Sequence, residues 1–352
     1  MSIVKFSEVA HRAYTREDRF NTEKIYYVGG EHIDSCELYV TKKGVIKGST
    51  IGPMFYCGFT AGQILFVTRN PHLKKCSIAD FDGICSEKTF VIETKDESIL
   101  TQEYLAIIMQ SDDFWNYCEE NKSGGVNYFL NWSTLADYEF ELPPIKQQLE
   151  IAQKVMSAYR LKQSYKKLLD ATREMVKSQF IEMFKGDNQV PLGDICNIEK
   201  GATITRNDVL HGEVPVVAGG QEPSCYHNVA NREAGAITVS ASGAYAGYIN
   251  FWNCPIFASD CNTIISKDDE KTDQTFVYFG LRAMQKQIYG LQKGGAQPHV
   301  YGKDLQKFMF PCPSYAKQIE FSKMAKQADK SEFELRKSIE AIDQVIKSLI
   351  NN

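Results

Sequence analysis

The segment Pro143-Pro144-Ile145-Lys146-Gln147-Gln148-Leu149-Glu150 is followed by 35 residues, 151–185, that contain neither proline nor glycine. Prolines at the start and Gly186 past the end are the asymmetry expected of an α-helix. Steps of four and three residues trace a heptad seam, interrupted by three polar residues, through Ile151, Val155, Ala158, Lys162, Tyr165, Leu169, Thr172, Val176, Gln179 and Met183. At ~1.5 Å per residue the helix would be roughly 60 Å long, which is longer than a small domain is wide.

The second half of the chain repeats this arrangement at an offset of 170 residues. Pro143, Gln148 and Glu150 correspond to Pro313, Gln318 and Glu320. The second seam consists of Phe321, Ala325, Ala328, Glu332, Leu335, Ile339, Ile342, Ile346 and Leu349. The offset also relates three upstream positions, pairing Gly124-Gly125 with Gly294-Gly295, Leu135 with Leu305, and Phe140 with Phe310. A duplication is the simplest explanation.

Composition limits the class of protein. With 352 residues, 43% of them hydrophobic and 12% aromatic, the chain can form two domain cores, and global disorder is excluded. The sequence has no run of about 20 apolar residues, so we predict no membrane-spanning helix. Its N-terminal residues lack the apolar region of a signal peptide. The ten cysteines include no Cys-x-x-Cys pair, which favours reduced, mostly buried thiols over disulfides or a zinc site. We therefore predict a cytoplasmic protein that makes no membrane contact and binds no metal.

Charge is distributed unevenly along the chain. Residues 1–143 carry 14 basic and 21 acidic side chains, a net −7, and residues 144–186 carry 9 and 4, a net +5. Residues 187–313 carry 10 and 13, a net −3, and residues 314–352 carry 7 and 6, a net +1. Acidic globular segments are not the electrostatic signature of an independent nucleic-acid binder. The basic helix residues Lys154, Lys162, Lys166, Lys167 and Arg173 face either solvent or a DNA spacer in these predictions.

We predict four segments: globular residues 1–142, a helical spacer over 143–186, globular residues 187–312 and a second helical spacer over 313–352. In the first globular segment, the apolar runs Ile25–Val28, Ile64–Val67 and Thr89–Ile92 end in turn residues, as strands do. The apolar residues of Thr101–Glu120 recur at helical spacing. An α+β fold with a mostly antiparallel or mixed sheet is therefore expected. The second globular segment matches the first at offsets that drift between 172 and 190, which predicts one scaffold with loops of different length.

The two long helices are predicted to pair with each other, because an unpaired apolar stripe would be a liability. Antiparallel pairing would place Ile151 near Leu349. It would also set Tyr165, Leu169 and Val176 against residues such as Leu335, Ile339 and Ile346. The predicted fold is two duplicated α/β domains joined by a pair of long antiparallel coiled-coil helices, with pseudo-two-fold symmetry within one chain.

The duplicated unit resembles the DNA-specificity subunit of type I restriction–modification systems. The resemblance rests on an α+β domain that ends in Gly-Gly, a leucine about ten residues later, a Leu-Pro-Pro or Pro-x-Pro step, and a glutamine-containing helix start. It covers essentially the full chain. It implies two target-recognition domains, each reading one half of a split double-stranded DNA target. It also implies that the helices dock two DNA adenine methyltransferase subunits and that restriction (translocase) subunits join the complex.

Candidate DNA-binding residues lie in loops rich in glycine and small polar residues. Asn127 and Gln297 occupy equivalent positions and carry amides suited to adenine, although glycine loops of this kind equally serve as simple turns. Thr15-Arg16 and Thr205-Arg206 each offer a hydroxyl and a guanidinium for phosphate or guanine, and a solvated salt bridge is the alternative. The full predicted set is Thr15, Arg16, Gly30, Arg69, Asn70, Lys74, Lys75, Gly125, Asn127, Tyr128, Lys200, Thr205, Arg206, Gly220, Ser240, Ser242, Tyr245, Lys293, Gln297 and His299.

Catalytic signatures are missing from the sequence. It contains no Asp/Asn-Pro-Pro-aromatic motif of adenine methyltransferases and no phosphate-binding Gly-x-x-x-x-Gly-Lys-Ser/Thr motif. We therefore predict a chain that is not an enzyme and binds no cofactor, with S-adenosylmethionine, ATP and Mg expected only in partner subunits. The alternative function is a duplicated protein-binding scaffold that holds partners at a fixed separation, which the acidic domains favour.

Overall fold

The computed structural model describes residues 2–351. The chain forms two compact units. The first unit comprises the residues up to Tyr165 together with those from Ser338 onward, and the second comprises Lys166–Lys337. Each unit contains one globular domain and a part of each long helix.

Short strands and helices make up the domain of the first unit. Its strands are β1 (Ser2–Lys5), β2 (Ala10–Arg12), β3 (Thr15–Arg16), β4 (Tyr26–Val28), β5 (Gly44–Val45), β6 (Phe55–Phe59), β7 (Ile64–Val67), β8 (Cys76–Ile78), β9 (Gly83–Ser86), β10 (Thr89–Thr94) and β11 (Glu139–Leu142). Its helices are α1 (Phe6–Val9), α2 (Gln102–Ile108), α3 (Asp112–Glu120) and α4 (Trp132–Ala136), with a 3-10 turn at Pro71–Leu73. The long helix α5 (Ile145–Met183) follows.

The second unit has a similar order of elements. Its strands are β12 (Gln189–Pro191), β13 (Cys196–Lys200), β14 (Val214–Val217), β15 (Cys225–His227), β16 (Ala236–Ser240), β17 (Ile249–Trp252), β18 (Phe257–Ala258), β19 (Cys261–Ser266) and β20 (Met309–Pro311). Its helices are α6 (Leu192–Ile195), α7 (Gln274–Ala283), α8 (Gln285–Tyr289) and α9 (Gly302–Gln306), and the long helix α10 (Tyr315–Asn351) ends the described chain.

A four-stranded antiparallel sheet lies at the centre of each domain. The strand order is β2-β10-β7-β8 in the first unit and β13-β19-β16-β17 in the second, which is the same topology twice. Phe66 pairs with Phe90 in the first sheet, and Ile237 pairs with Ile264 in the second. All four side chains are buried in the core of their unit. Successive side chains of a strand point to opposite faces of the sheet, and one face packs against the helices.

The second sheet of each domain differs in size. The first unit has five strands in the order β3-β6-β9-β4-β5, and the second has three in the order β15-β14-β18. Each of these sheets contains one parallel pair, β4 with β9 and β14 with β18. The two domains therefore differ most in their second sheets.

Local predictions agree with the structure except at one helix. The predicted strand Ile64–Val67 is β7, β4 begins one residue later than predicted, and β10 extends to Thr94. The helical spacing over Thr101–Glu120 corresponds to two helices, because α2 ends at Ile108 and α3 begins after Ser111. The Ser111 side chain accepts a hydrogen bond from the Phe114 N–H at 3.2 Å and so caps a new helix. Six of the ten cysteines are buried, as expected of small apolar side chains.

The start of each long helix is tied to its domain by a buried glutamine. The Gln148 amide accepts from the Thr101 N–H at 3.1 Å and donates to the carbonyls of Ile99 and Pro143 at 2.8 and 2.9 Å. Gln318 makes the equivalent bonds, accepting from the Asp273 N–H at 2.9 Å and donating to Lys271 and Pro313 at 3.0 Å each. Both glutamines are almost completely buried, at 0% and 1% exposure. Three satisfied hydrogen bonds explain why a polar side chain occupies this position.

The helices pair antiparallel within each unit. In the first unit, Ile151 from the start of α5 packs against the same core as Leu349 and Ile350 from the end of α10. In the second unit, Phe180 near the end of α5 packs against Phe321 near the start of α10, with ring centroids 5.4 Å apart. The predicted antiparallel pairing of the two long helices is therefore confirmed within each unit.

Two details of the predicted seam are wrong. Val176 packs in the core that contains Ala325 and Ala328, and this core includes none of the predicted partners Leu335, Ile339 and Ile346. Lys162 does not face solvent or DNA, because it is 7% exposed and forms ion pairs inside the protein.

Candidate nucleic-acid interface

Two equivalent hairpin loops contain the predicted amides. We call residues 123–129 the first loop and residues 293–299 the second loop. The backbones of Ser123 and Phe129 exchange two hydrogen bonds, of 2.8 and 3.0 Å, and those of Lys293 and His299 exchange two of 2.9 and 2.8 Å. Five residues between these closing pairs therefore project from each domain in the same way.

Glycine is required at one position in each loop. Gly124 and Gly294 have φ angles of 97° and 98°, a region that L-residues with a side chain rarely adopt. A Cβ atom on Gly124 would lie 2.6 Å from the Asn127 carbonyl oxygen, and one on Gly294 would lie 2.8 Å from that of Gln297. The next glycines, Gly125 and Gly295, are exposed and have no such neighbour. The double glycine therefore combines a tight turn with an open tip.

Each loop is attached to the third strand of the central sheet by matching backbone bonds. In the first unit, the Leu130 N–H donates to Thr68 O and the Asn70 N–H donates to Tyr128 O, both at 3.0 Å. In the second unit, the Val300 N–H donates to Ala241 O at 2.9 Å and the Gly243 N–H donates to Pro298 O at 3.1 Å. The loops are thus held against the residues that follow β7 and β16, beside rigid elements.

The structure brings together Arg69, Asn70, Asn127 and Tyr128 beside the first loop. The Arg69 guanidinium lies 5.2 Å from the centre of the Phe129 ring, and the Lys122 ammonium lies 4.4 Å from that of Tyr128. The side chain of Asn127 is exposed at the tip. Cations resting on aromatic rings next to an exposed amide form a surface suited to phosphate and base contacts.

Lys74 and Lys75 are engaged within the first unit. The Lys74 ammonium lies 3.6 Å from the Asp112 carboxylate. Lys75 donates a hydrogen bond to the carbonyl of Gly30, which places that predicted glycine against the end of β7. Both lysines are half-buried, so contact with DNA would require these bonds to be exchanged.

The second loop gathers a comparable group. Ser242 forms an isolated bridge with His299 and donates a hydrogen bond to the Asp260 carboxylate. Buried Ser240 donates to Gly220 O at 3.4 Å, which places that predicted glycine beside the group. Tyr245 and Gln297 are exposed.

The two residues at the ends of the second loop, Lys293 and His299, already have side-chain partners. Lys293 pairs with Asp304 at 2.7 Å, and the hydrogen bond from Lys293 holds the pKa of the Asp304 carboxyl below its usual value. The His299 and Tyr301 rings stack, with centroids 6.0 Å apart.

Five predicted residues lie on other elements of the two domains. Thr15 pairs with Gly58 across β3 and β6, and the Arg16 guanidinium lies 5.0 Å from the centre of the Tyr56 ring. The Thr205 hydroxyl donates to Asp208 at 2.6 Å, the exposed Arg206 follows it, and exposed Lys200 ends β13. All five side chains are exposed.

Sequence reasoning missed three residues of the loop groups. Phe129 and His299 occupy equivalent positions under the offset of 170, so the ring at the foot of the first loop could have been found from the repeat. Tyr301 lies two residues beyond a predicted residue. Asp260 gave no signal, because its contact with Ser242 depends on the pairing of β16 with β19.

Residues 186–344 match the family model described as the type I restriction modification DNA specificity domain. This part of the chain is therefore similar to a type I specificity domain. The matched region is the second repeat, and the first repeat is related to it by the internal duplication. The predicted resemblance to type I specificity subunits is thereby confirmed.

A curated relative and two solved structures extend the comparison. The specificity subunit of the type I restriction enzyme EcoDI from Escherichia coli is 26% identical over 133 residues, covering 37% of this chain and 29% of the relative. The crystal structure of a type I restriction–modification S subunit from M. genitalium has a TM-score of 0.66 at 15% identity, covering 99% of this chain and 94% of the other. A chain from a structural study of type I complex assembly has a TM-score of 0.57 at 18% identity, covering 99% and 96%. At these identities the comparison shows that this chain shares the overall fold of the two structures.

No helix within residues 2–351 is long and apolar enough to cross a membrane. Nor does this part of the chain contain a group of three or more His, Cys, Asp or Glu side chains arranged to hold a metal ion.

Proposed function

We propose that this chain is the sequence-reading subunit of a type I restriction–modification complex and that its two domains read the two halves of a bipartite DNA target. The observation that carries the proposal is the pair of equivalent loops, which are held by matching backbone hydrogen bonds to the residues that follow β7 and β16. A protein that reads two half-sites needs one such element in each domain, with side chains that differ between them. Asn127 and Gln297 meet both requirements.

Loop chemistry supports direct base readout. Asn and Gln amides can donate to and accept from the major-groove edge of adenine in a bidentate way. In the first unit the neighbouring cation Arg69 supplies a phosphate contact that fixes position without reading sequence. In the second unit Lys293 supplies such a contact by exchanging its ion pair with Asp304 for a phosphate. Because the domains are acidic overall, we expect these local cations and the partner subunits to provide the attraction to DNA.

We assign catalysis to the partner subunits, because this sequence has neither a methyltransferase motif nor a nucleotide-binding motif. We infer that the long helices dock two adenine methyltransferase subunits and that restriction subunits complete the complex. S-adenosylmethionine, ATP and Mg would be bound by those partners. The purified chain should neither methylate nor cut DNA alone, and activity that tracks its own purity would contradict this assignment.

Variants that lose base discrimination in only one half-site test the proposed function. The chain is reconstituted with its methyltransferase partner, and methylated sites are mapped for the wild type, Asn127→Ala and Gln297→Ala. A lost bidentate contact removes ~1–3 kcal/mol of discrimination at one base pair. We expect each variant to relax one position in one half-site only and to leave the other half unchanged. Gln153→Ala, which removes an exposed amide on α5, is the matched control and should leave both halves unchanged.

Two results would count against this reading. Relaxation of both half-sites by either substitution would show that the loops do not read separate halves. A complex that neither shifts nor methylates any DNA would favour the alternative, a duplicated scaffold that holds partner proteins.

A further inference from the structure

Two ion pairs cross between α5 and α10, one in each unit. In the first unit, the Lys162 ammonium lies 2.7 Å from the Asp343 carboxylate and 3.2 Å from that of Glu37. In the second unit, the Arg173 guanidinium donates to the Glu332 carboxylate at 2.9 Å. One member of each pair is buried, since Lys162 and Glu332 are 7% and 8% exposed.

The spacing of the pairs matches on the two helices. Lys162 and Arg173 are eleven residues apart on α5, and Glu332 and Asp343 are eleven residues apart on α10. Both pairs therefore close in the same antiparallel register. Slipping one helix by a heptad would set Lys162 opposite Ile350 or Arg336 instead of Asp343. A buried charge that loses its partner destabilises a protein far more than the intact pair stabilises it, so slipped registers are disfavoured.

The polarity of the pairs distinguishes the two helices. Under the offset of 170, Lys162 corresponds to Glu332 and Arg173 corresponds to Asp343, so the charge is reversed at both positions. As a result α5 carries both cations and α10 carries both anions. Two copies of α5 would bring Lys162 against Arg173, and two copies of α10 would bring Glu332 against Asp343. Only the pairing of α5 with α10 satisfies all four charges.

Neighbouring groups hold the buried members in place. The Tyr159 hydroxyl donates to Glu37 at 2.8 Å, so a domain residue is tied to the ion pair of the first unit. Burial opposes the charged form of Lys162, but Asp343 and Glu37 outweigh it and raise the pKa of the ammonium above its usual value. In the second unit, Arg336 lies 3.9 Å from Glu332. Lys162 is thus charged at neutral pH and needs its partners.

We propose that the two ion pairs are positioning contacts that commit α5 to α10 in a single register and thereby fix the separation of the two DNA half-sites. The second part of this statement rests on the proposed function, because the register matters for DNA only if each domain reads one half-site. The apolar seam and the phenylalanines stabilise the helix pair, whereas the charges select which helix and which register. Charged seam positions specify partner and register in other coiled coils through the same physics.

An exchange of charges tests the proposal in the full chain. The variant R173D/D343R leaves composition and net charge unchanged, but it sets the introduced arginine on α10 against Lys162 and the introduced aspartate on α5 against Glu332. The variant R173K/D343E keeps both pairs and is the conservative control. The variant K154E/E340K exchanges charges at two exposed positions of the same helices and is the matched surface control.

The first readout is independent of DNA. Spin labels are attached to Q153C on α5 and Q344C on α10, both exposed and both in the first unit, after the accessible Cys36, Cys225, Cys254 and Cys312 are replaced by serine. We expect a single narrow distance in the wild type and both controls. The exchange variant should show a broadened or shifted distance and a lower urea midpoint. A narrow, unchanged distance in the exchange variant would overturn the proposal, whatever its stability.

The second readout is the spacer between methylated half-sites in the reconstituted complex. We expect R173D/D343R to methylate the same half-site letters at more than one spacer length, whereas both controls keep the single spacer of the wild type. One unchanged spacer in the exchange variant would overturn the link from register to DNA. If the wild-type complex methylates no bipartite site, the proposed function fails, and the label distances still decide whether the charges set the register.

Discussion

Gly124 and Gly294 are the residues for which the local geometry makes the sharpest prediction. Alanine at either position would combine a positive φ with a Cβ too close to a backbone carbonyl, at a local cost of roughly 1–3 kcal/mol. Because 1.4 kcal/mol corresponds to tenfold in affinity, we expect Gly124→Ala to weaken reading of one half-site by about tenfold or more. Gly294→Ala should do the same for the other half.

The neighbouring glycines provide the control for this comparison. Gly125→Ala and Gly295→Ala place a Cβ in open space and should leave both half-sites readable. Methylation rates on matched substrates, measured under conditions in which every variant is folded, make the test. Equal losses at Gly124 and Gly125 would show that the loop tip, and not its left-handed turn, is what matters.

Single residues were only partly predictable from the sequence. The loop glycines and amides could be found because the repeat aligns them, and the structure brings them together with Arg69 and Ser242. The burial of Lys162 could not be predicted, because its partner Glu37 is 125 residues away in sequence and the contact exists only after folding. The contact of Ser242 with Asp260 depends on strand pairing in the same way.

Among the structural elements, the starts of the long helices depend on their buried glutamines. Gln148→Leu would leave the Thr101 N–H and the carbonyls of Ile99 and Pro143 without this partner. Each buried unsatisfied group costs about 1–3 kcal/mol, so we expect a loss on the order of 3 kcal/mol in the free energy of unfolding. Gln318→Leu should cost a similar amount. Urea denaturation measures both.

Gln147→Leu is the matched control, because this residue is one position away and exposed. Surface substitutions of this kind change stability by about 0.5 kcal/mol or less. A Gln148→Leu variant as stable as Gln147→Leu would show that the buried amide does not hold the helix to its domain.

Secondary-structure elements were predictable where the apolar periodicity extends over many residues. The prediction was incomplete where a capping residue determines where a helix begins. The two long helices follow from the absence of proline and glycine and from the seam, and α5 and α10 have nearly the predicted bounds. The break between α2 and α3 was missed, because buried apolar residues continue across it while Ser111 starts a new helix. A serine inside an apolar pattern was the available signal.

For the whole molecule, duplication was the most informative feature of the sequence. It predicted two domains of one topology, and the two central sheets share their strand order. It could not predict that the second sheet has five strands in one unit and three in the other, since drifting offsets reveal insertions but not their pairing. The relation between helix length and DNA spacing also remains a prediction.

A matched heptad deletion tests whether the helix pair sets the distance between the half-sites. Residues 164–170 of α5 and residues 334–340 of α10 correspond under the offset of 170 and lie between the two cross-helix ion pairs. Removing both segments brings each set of charges to four residues apart, so both pairs can still close. Removing only 164–170 leaves spacings of four and eleven, so only one pair can close, and this variant is the control.

The decisive measurement is the spacer length in the sites methylated by the complex that contains the matched deletion. Seven residues at ~1.5 Å each shorten the helix pair by about 10 Å, which corresponds to ~3 base pairs at ~3.4 Å. We predict unchanged letters in both half-sites and a spacer shorter by about three base pairs, with the single-helix deletion giving little methylation. An unchanged spacer, or altered half-site letters, would contradict the claim that the paired helices hold the two reading domains at a fixed separation.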